Sequence, residues 1–240
     1  MTLLAFGCSV THGTEIVASG NSKDNLPYSY PSLIAKYLKT DCVNHAFCGN
    51  SNENIFHEAM ETVSKYEDIK AVIVGWTSVP REVWKCGDRT WQFLPSWCSS
   101  VEDIWKQRPT AEEQAGLSNI ELAKIDWGSK LHYISATDSS PSYCADQLQH
   151  LPILEKFYNL FMSEKFDITE YTKKTMHCVE AFRAYCQINR INLIETCWAD
   201  NITGTVNIGL IGDWYPALIR HPNALEHQLF ADQIIKQCKL

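Results

Sequence analysis

Ser9 follows directly on a short apolar run, Leu3-Leu4-Ala5-Phe6, and on Gly7-Cys8. A serine at the end of a buried strand, just before a turn, is held by rigid backbone with its hydroxyl free. That is where α/β enzymes often carry a nucleophile. The competing reading is a serine that simply caps a turn or helix. At the other end of the chain, His221-Pro222-Asn223 opens the last helical pattern. A histidine there reaches the same crevice if the final connection returns to it, and imidazole is the side chain suited to accept a proton near neutral pH.

The elements needed to bring these residues together are legible around them. The apolar run 3–6 suits a strand covered on both faces. Residues 27–39 carry Leu33, Ile34, Tyr37 and Leu38 at helical spacing, with Pro31 in the first turn. Residues 42–47 form a short strand candidate. Residues 51–66 form an amphipathic helix opening with the capping sequence Ser-Asn-Glu-Asn. Residues 69–75, Ile-Lys-Ala-Val-Ile-Val-Gly, are a β-branched, buried strand. The resulting β-α-β-α-β alternation predicts a parallel sheet with helices on both faces. Loops at the carboxyl ends of such strands converge on one crevice, so Ser9, Gly49 and Gly75 are expected to be neighbours.

The rest of the chain is less regular. Residues 80–150 are rich in tryptophan and in polar turns, and are read as an inserted cap with short helices near 101–107 and 111–124. A helical stretch over 151–189 breaks near Phe166-Asp167. Residues 191–198 form another buried strand, residues 199–220 a loop, and residues 223–238 a closing helix. In that helix Leu225 and Leu229, Phe230 and Ile234, and Ile235 spread around more than one face, which predicts a well-buried helix.

Bulk properties narrow the function. The 240 residues are 45% hydrophobic, enough for one sizeable domain. The net charge is −7 with no basic run, which gives nucleic-acid binding no electrostatic support. No apolar run approaches a membrane span. The start lacks the basic region of a signal peptide and reads as a first strand, so a cytoplasmic location is expected. The ten cysteines show no CxxC and no clustered Cys/His spacing, so they are expected to be reduced thiols rather than metal ligands.

Four blocks in order, Gly7-Cys8-Ser9 with Thr11 and Gly13, Asn44 to Asn52 with Gly49, Gly75-Trp76-Thr77-Ser78, and Leu218 to Asn223 with His221, resemble those of the SGNH, or GDSL-like, hydrolases. The likeness is strongest to divergent members found in bacteriophage genomes, whose first helix is also similar to residues 29–38. It covers about residues 1–85 and 190–240. The resemblance implies a three-layer α/β/α sandwich of flavodoxin-like topology, with a short parallel sheet and an inserted cap. It implies Ser9 as nucleophile, His221 as the base that takes and returns its proton, and an oxyanion hole from the N–H groups of Ser9 and Gly49. No metal or cofactor is needed for that chemistry.

Cys8 replaces the first-block aspartate, which is not a proton-transfer group, and two further departures fall at positions that matter to the chemistry. Thr77 stands where the family has an asparagine that donates to the oxyanion. Its hydroxyl can donate over a shorter reach, while Asn50 and Asn52 are alternative donors. Leu218 stands where the family has the aspartate that orients the histidine. Asp213 folding back, a backbone carbonyl, or Glu226 would have to take that part.

Residues bordering the crevice are candidates for substrate contact. Asn52, Trp76 and Trp84 are among them, and Arg81 would bind an anionic group or pair with a carboxylate. His12 and His227 are read as solvated and structural, respectively. The expected activity is deacylation of a carbohydrate or other small polar ester through an acyl-enzyme on Ser9. A viral protein would act in the host cytoplasm or on the particle. The alternative is a family member without catalysis, serving as a binding or virion structural protein.

Overall fold

The computed structural model describes residues 1–14, 16, 22–47, 49–77, 82–86, 89–93, 168–198, 202–210 and 222–240. Five parallel strands form the main sheet: β1 (Thr2–Gly7), β2 (Asp41–Asn44), β3 (Ile69–Trp76), β6 (Leu193–Cys197) and β7 (Val206–Asn207). Their order is β2-β1-β3-β6-β7. The chain thus reverses direction across the sheet between β1 and β3, and that switch point is where an open α/β sheet leaves a crevice at the strands' carboxyl ends.

Strand alternation sends successive side chains to opposite faces, and each face has its own helices. Leu3, Ala5, Ala71, Ile73 and Ile194 pack with Tyr30, Ile34 and Ala35 of α3 (Tyr30–Tyr37) and with Phe230, Ala231 and Ile234 of α6 (Ala224–Cys238). Leu4, Phe6, Val72, Val74 and Trp76 pack on the other side with Ile55, Ala59 and Val63 of α4 (Asn52–Val63). Val179, Phe182 and Cys186 of α5 (Ile168–Ile188) complete that second layer. The α/β/α sandwich expected from the alternating pattern is therefore present, and each large apolar side chain it buries contributes about 1.5–3 kcal/mol.

Helix starts follow local chemistry. Pro31 lies in the first turn of α3. Ser51 caps α4 by accepting from the N–H of Asn54. Asn223 and Glu226 form a reciprocal capping box at the start of α6.

Several expectations change. Ser9–His12 is a single helical turn, α1, where the sequence suggested a loop. A second short turn, α2 (Ser22–Asn25), precedes α3. Residues expected to open the cap form an antiparallel hairpin, β4 (Glu82–Cys86) with β5 (Arg89–Phe93). The segment read as a loop over 199–220 supplies β7, the fifth strand. α6 is amphipathic rather than buried all round: Leu225 and Leu229 are exposed because only the Phe230–Ile234 side faces the sheet. The expected helices at 101–107, 111–124 and 151–167 lie outside the described residues. Cys8, Cys42, Cys178, Cys186, Cys197 and Cys238 are free thiols. Among the described residues, no helix is long and apolar enough to cross a membrane.

Candidate functional site

β1 ends at Gly7, and Cys8 turns the chain with extended backbone into α1, whose first residue is Ser9. The Ser9 carbonyl accepts from the N–H groups of Gly13 (2.9 Å) and Thr14 (3.0 Å), which closes the turn. Ser9 itself is 7% exposed. Cys8 is fully buried, and its sulfur accepts the indole N–H of Trp198 at 3.1 Å. Of the two neighbouring nucleophile types, only the serine retains exposed surface.

The loop after β2 is tied to this turn. Phe47 N–H and Asn50 Nδ2 both donate to the Gly7 carbonyl, each at 3.3 Å. Asn44 Nδ2 donates to the Thr11 carbonyl at 3.0 Å. Gly49 lies within this loop at φ 77°, a left-handed backbone that favours glycine. The structure thus brings the Gly49 loop against the Ser9 turn, as the convergence of strand ends requires.

Thr77 follows β3 and is fixed by Asn52. Asn52 Oδ1 accepts from the Thr77 N–H at 2.7 Å, and Asn52 Nδ2 donates to the Thr77 carbonyl at 2.9 Å. This two-point clamp holds the backbone at the strand's end as a neighbouring strand would. Thr77 is 1% exposed, and among the described residues its hydroxyl has no hydrogen-bond partner. A buried hydroxyl without a partner costs about 1–3 kcal/mol, so its presence calls for a reason.

Other sequence candidates are placed differently. Asn52 is buried and committed to Thr77, so it positions that residue and is not a free donor. Trp76 has no exposed surface; its ring joins the core and its indole N–H donates to Glu195 Oε1 at 2.8 Å. The expectation that Trp76 touches ligand gives way to a core role, because position 76 alternates onto the α4/α5 face of β3. Trp84 lies on β4. Glu226 is engaged in the α6 capping box, where its Oε2 accepts from Asn223 N–H at 2.7 Å. His227 is buried and structural: its Nδ1 accepts from Tyr30 N–H at 3.2 Å and its ring stacks on Tyr30. Asp213, His221 and Arg81 lie outside the described residues.

A second set of groups at this site had no role in the sequence reading. Tyr30 Oη lies 3.0 Å from Thr11 Oγ1 and 3.0 Å from Thr196 Oγ1, and all three residues are buried. Burial pushes the Tyr30 phenol well above its ordinary range, so the hydroxyl is held neutral. Two glycines at matching strand ends, Gly7 and Gly75, were the available sequence signal. Among the described residues, no group of three or more histidine, cysteine, aspartate or glutamate side chains is placed to hold a metal.

No protein-family model matches the chain, and no curated protein does. Solved structures similar to it include a member of the lipolytic protein G-D-S-L family from Veillonella parvula. The two are 12% identical over 98% of this chain and 97% of that one, with a TM-score of 0.32. A psychrotrophic esterase from Pseudoalteromonas is 13% identical over 99% and 96%, with a TM-score of 0.33. A family two carbohydrate esterase from Clostridium thermocellum, in complex with cellohexaose, is 12% identical over 99% of this chain and 63% of that one, with a TM-score of 0.36. Likeness at these identities and scores does not assign an activity.

Proposed function

We propose that this chain is a serine-dependent carboxylic ester hydrolase with Ser9 as its nucleophile. The observation that carries the reading is that Ser9, on the turn that leaves β1 at the sheet's switch point, and Thr77, whose buried hydroxyl has no partner among the described residues, lie at the ends of neighbouring strands. A hydroxyl left unpaired in the ground state is available to a developing oxyanion, which is where preorganised donors accelerate acyl transfer. The N–H groups of Ser9 and Gly49 supply the other two donors in this reading. His221 takes the Ser9 proton as the hydroxyl attacks the ester carbonyl, then delivers it to the departing alcohol. Water repeats the sequence on the acyl-enzyme and regenerates Ser9. With Leu218 at the position of the family aspartate, Asp213 or a backbone carbonyl orients the imidazole. The substrate class is an acylated carbohydrate or another small polar ester, and the resemblance of the sequence blocks to phage members supports a role in an infected host cell or on a virion.

The test is intact-mass analysis after exposure to a fluorophosphonate. Wild type gains one adduct, while Ser9→Ala and His221→Ala gain none, and a screen of acetylated sugars and short-chain esters then identifies the substrate. A folded wild-type protein that stays unlabelled overturns the reading in favour of a binding or virion structural role.

A further inference from the structure

Three strands are in register near their carboxyl ends at the switch point: Gly7 of β1 lies opposite Gly75 of β3, and Gly75 lies opposite Thr196 of β6. By strand alternation all three face the α3/α6 layer, with Leu3, Ala5, Ile73 and Ile194. Two of the three positions carry no side chain, and Thr11 occupies the space. A Cβ on Gly7 would lie 2.5 Å from Thr11 Cβ and overlap its hydroxyl. A Cβ on Gly75 would overlap the same hydroxyl and stand 2.9 Å from the Tyr30 oxygen. Close approach of Thr11, rather than backbone conformation, thus accounts for both glycines: neither has a positive φ.

We infer that Thr11 is a positioning residue for Ser9, keyed into the Gly7–Gly75 slot and held there by the buried hydroxyl chain Thr11–Tyr30–Thr196. The inference rests on the reading of Ser9 as nucleophile. α1 is one turn long, so it cannot fix its own orientation through internal hydrogen bonds. Val10 packs into the core, and buried side-chain hydrogen bonds hold the two ends of the turn. Cys8 receives the Trp198 indole on one side, and Thr11 reaches across β1 and β3 to Tyr30 on the other. Tyr30 is held in turn: its N–H donates to His227, and its ring packs against His227 and Phe230 of α6. The Ser9 turn therefore takes its position from the strand row and from both helices of one layer. A nucleophile needs this precision, since misplacement by about 1 Å can cost about 100-fold in rate.

The experiment compares the second-order rate of fluorophosphonate labelling with the melting temperature for wild type, Thr11→Val, Thr11→Ser, Tyr30→Phe and the Thr11→Val/Tyr30→Phe pair. Thr11→Val keeps the shape that fills the slot and removes the hydroxyl. Labelling well below the melting temperature is expected to slow by about 10-fold in Thr11→Val and in Tyr30→Phe, with no further loss in the pair. Thr11→Ser is expected to restore most of the rate. Amide exchange at Gly13 and Thr14, whose N–H groups close on the Ser9 carbonyl, is expected to accelerate in the two slow variants. Wild-type labelling rates in Thr11→Val, with only the melting temperature lowered, overturn the inference and leave the nucleophile in place. Wild type that does not label overturns the nucleophile and, with it, the inference.

Discussion

Thr77 shows how one side chain carries information that its position in the sequence does not. Its place two residues after Gly75 marks it for the oxyanion, but the same spacing suits a threonine that caps a strand end. The clamp from Asn52 satisfies the Thr77 backbone completely and leaves the hydroxyl unpartnered among the described residues. Thr77→Val, which exchanges that hydroxyl for a methyl group, is expected to lower kcat for ester hydrolysis by about 100-fold. The melting temperature is expected to stay level or rise, because a buried unpaired group has been removed. A fall in melting temperature with kcat unchanged would identify Thr77 as a structural cap. Trp76 makes the reverse case. It borders the crevice in sequence, yet strand alternation turns its ring into the core and Glu195 takes its N–H.

At the scale of elements, β1, α1 and β3 operate as one interlocked unit. Gly75→Ala is expected to lower the stability by about 1–3 kcal/mol, read from the shift of the urea midpoint, because the new methyl group meets Thr11 Oγ1. Adding Thr11→Ala is expected to recover part of that loss, since the clash is with the hydroxyl. The same addition is expected to fail for Gly7→Ala, where Thr11 Cβ itself stands 2.5 Å from the new atom. Equal rescue of both glycine variants would contradict the interlock. Element identity was largely legible beforehand: helical spacing located α3, α4 and α6, and short runs rich in apolar residues located the strands β1, β2, β3 and β6. The hairpin β4–β5 and the two-residue strand β7 were not. A strand of two residues has no periodicity to read, and its existence depends on the free edge of β6.

Across the whole molecule, the buried acids predict how stability responds to alkali. Burial pushes the Cys186 thiol from its ordinary 9.0 up to about 12 and the Cys42 thiol up to about 11. The Tyr30 phenol is likewise raised above its ordinary 10.0. The unfolded chain releases these protons near the ordinary values while the folded chain retains them. Their contribution is therefore complete below about pH 9 and is lost as pH rises through 9 to 12. Urea midpoints are expected to fall between about pH 8 and about pH 10.5, and to fall less steeply in Cys186→Ala. A midpoint independent of pH over that window would show that the thiols are not shielded as the fold requires.

The amino-acid sequence by itself determined the alternation of strands and helices, the position of Ser9 at a strand end and the convergence of three loops. Each of these follows from local periodicity and from the geometry common to parallel sheets. Only the tertiary structure decided that Gly7 and Gly75 face each other and that Thr11 fills the space between them. It also decided that Tyr30, nineteen residues from Thr11 and 166 from Thr196, joins the two. Those relations are set by strand register and by which helix lies over which face. They depend on contacts between residues far apart in the chain, which no local pattern of residue types encodes.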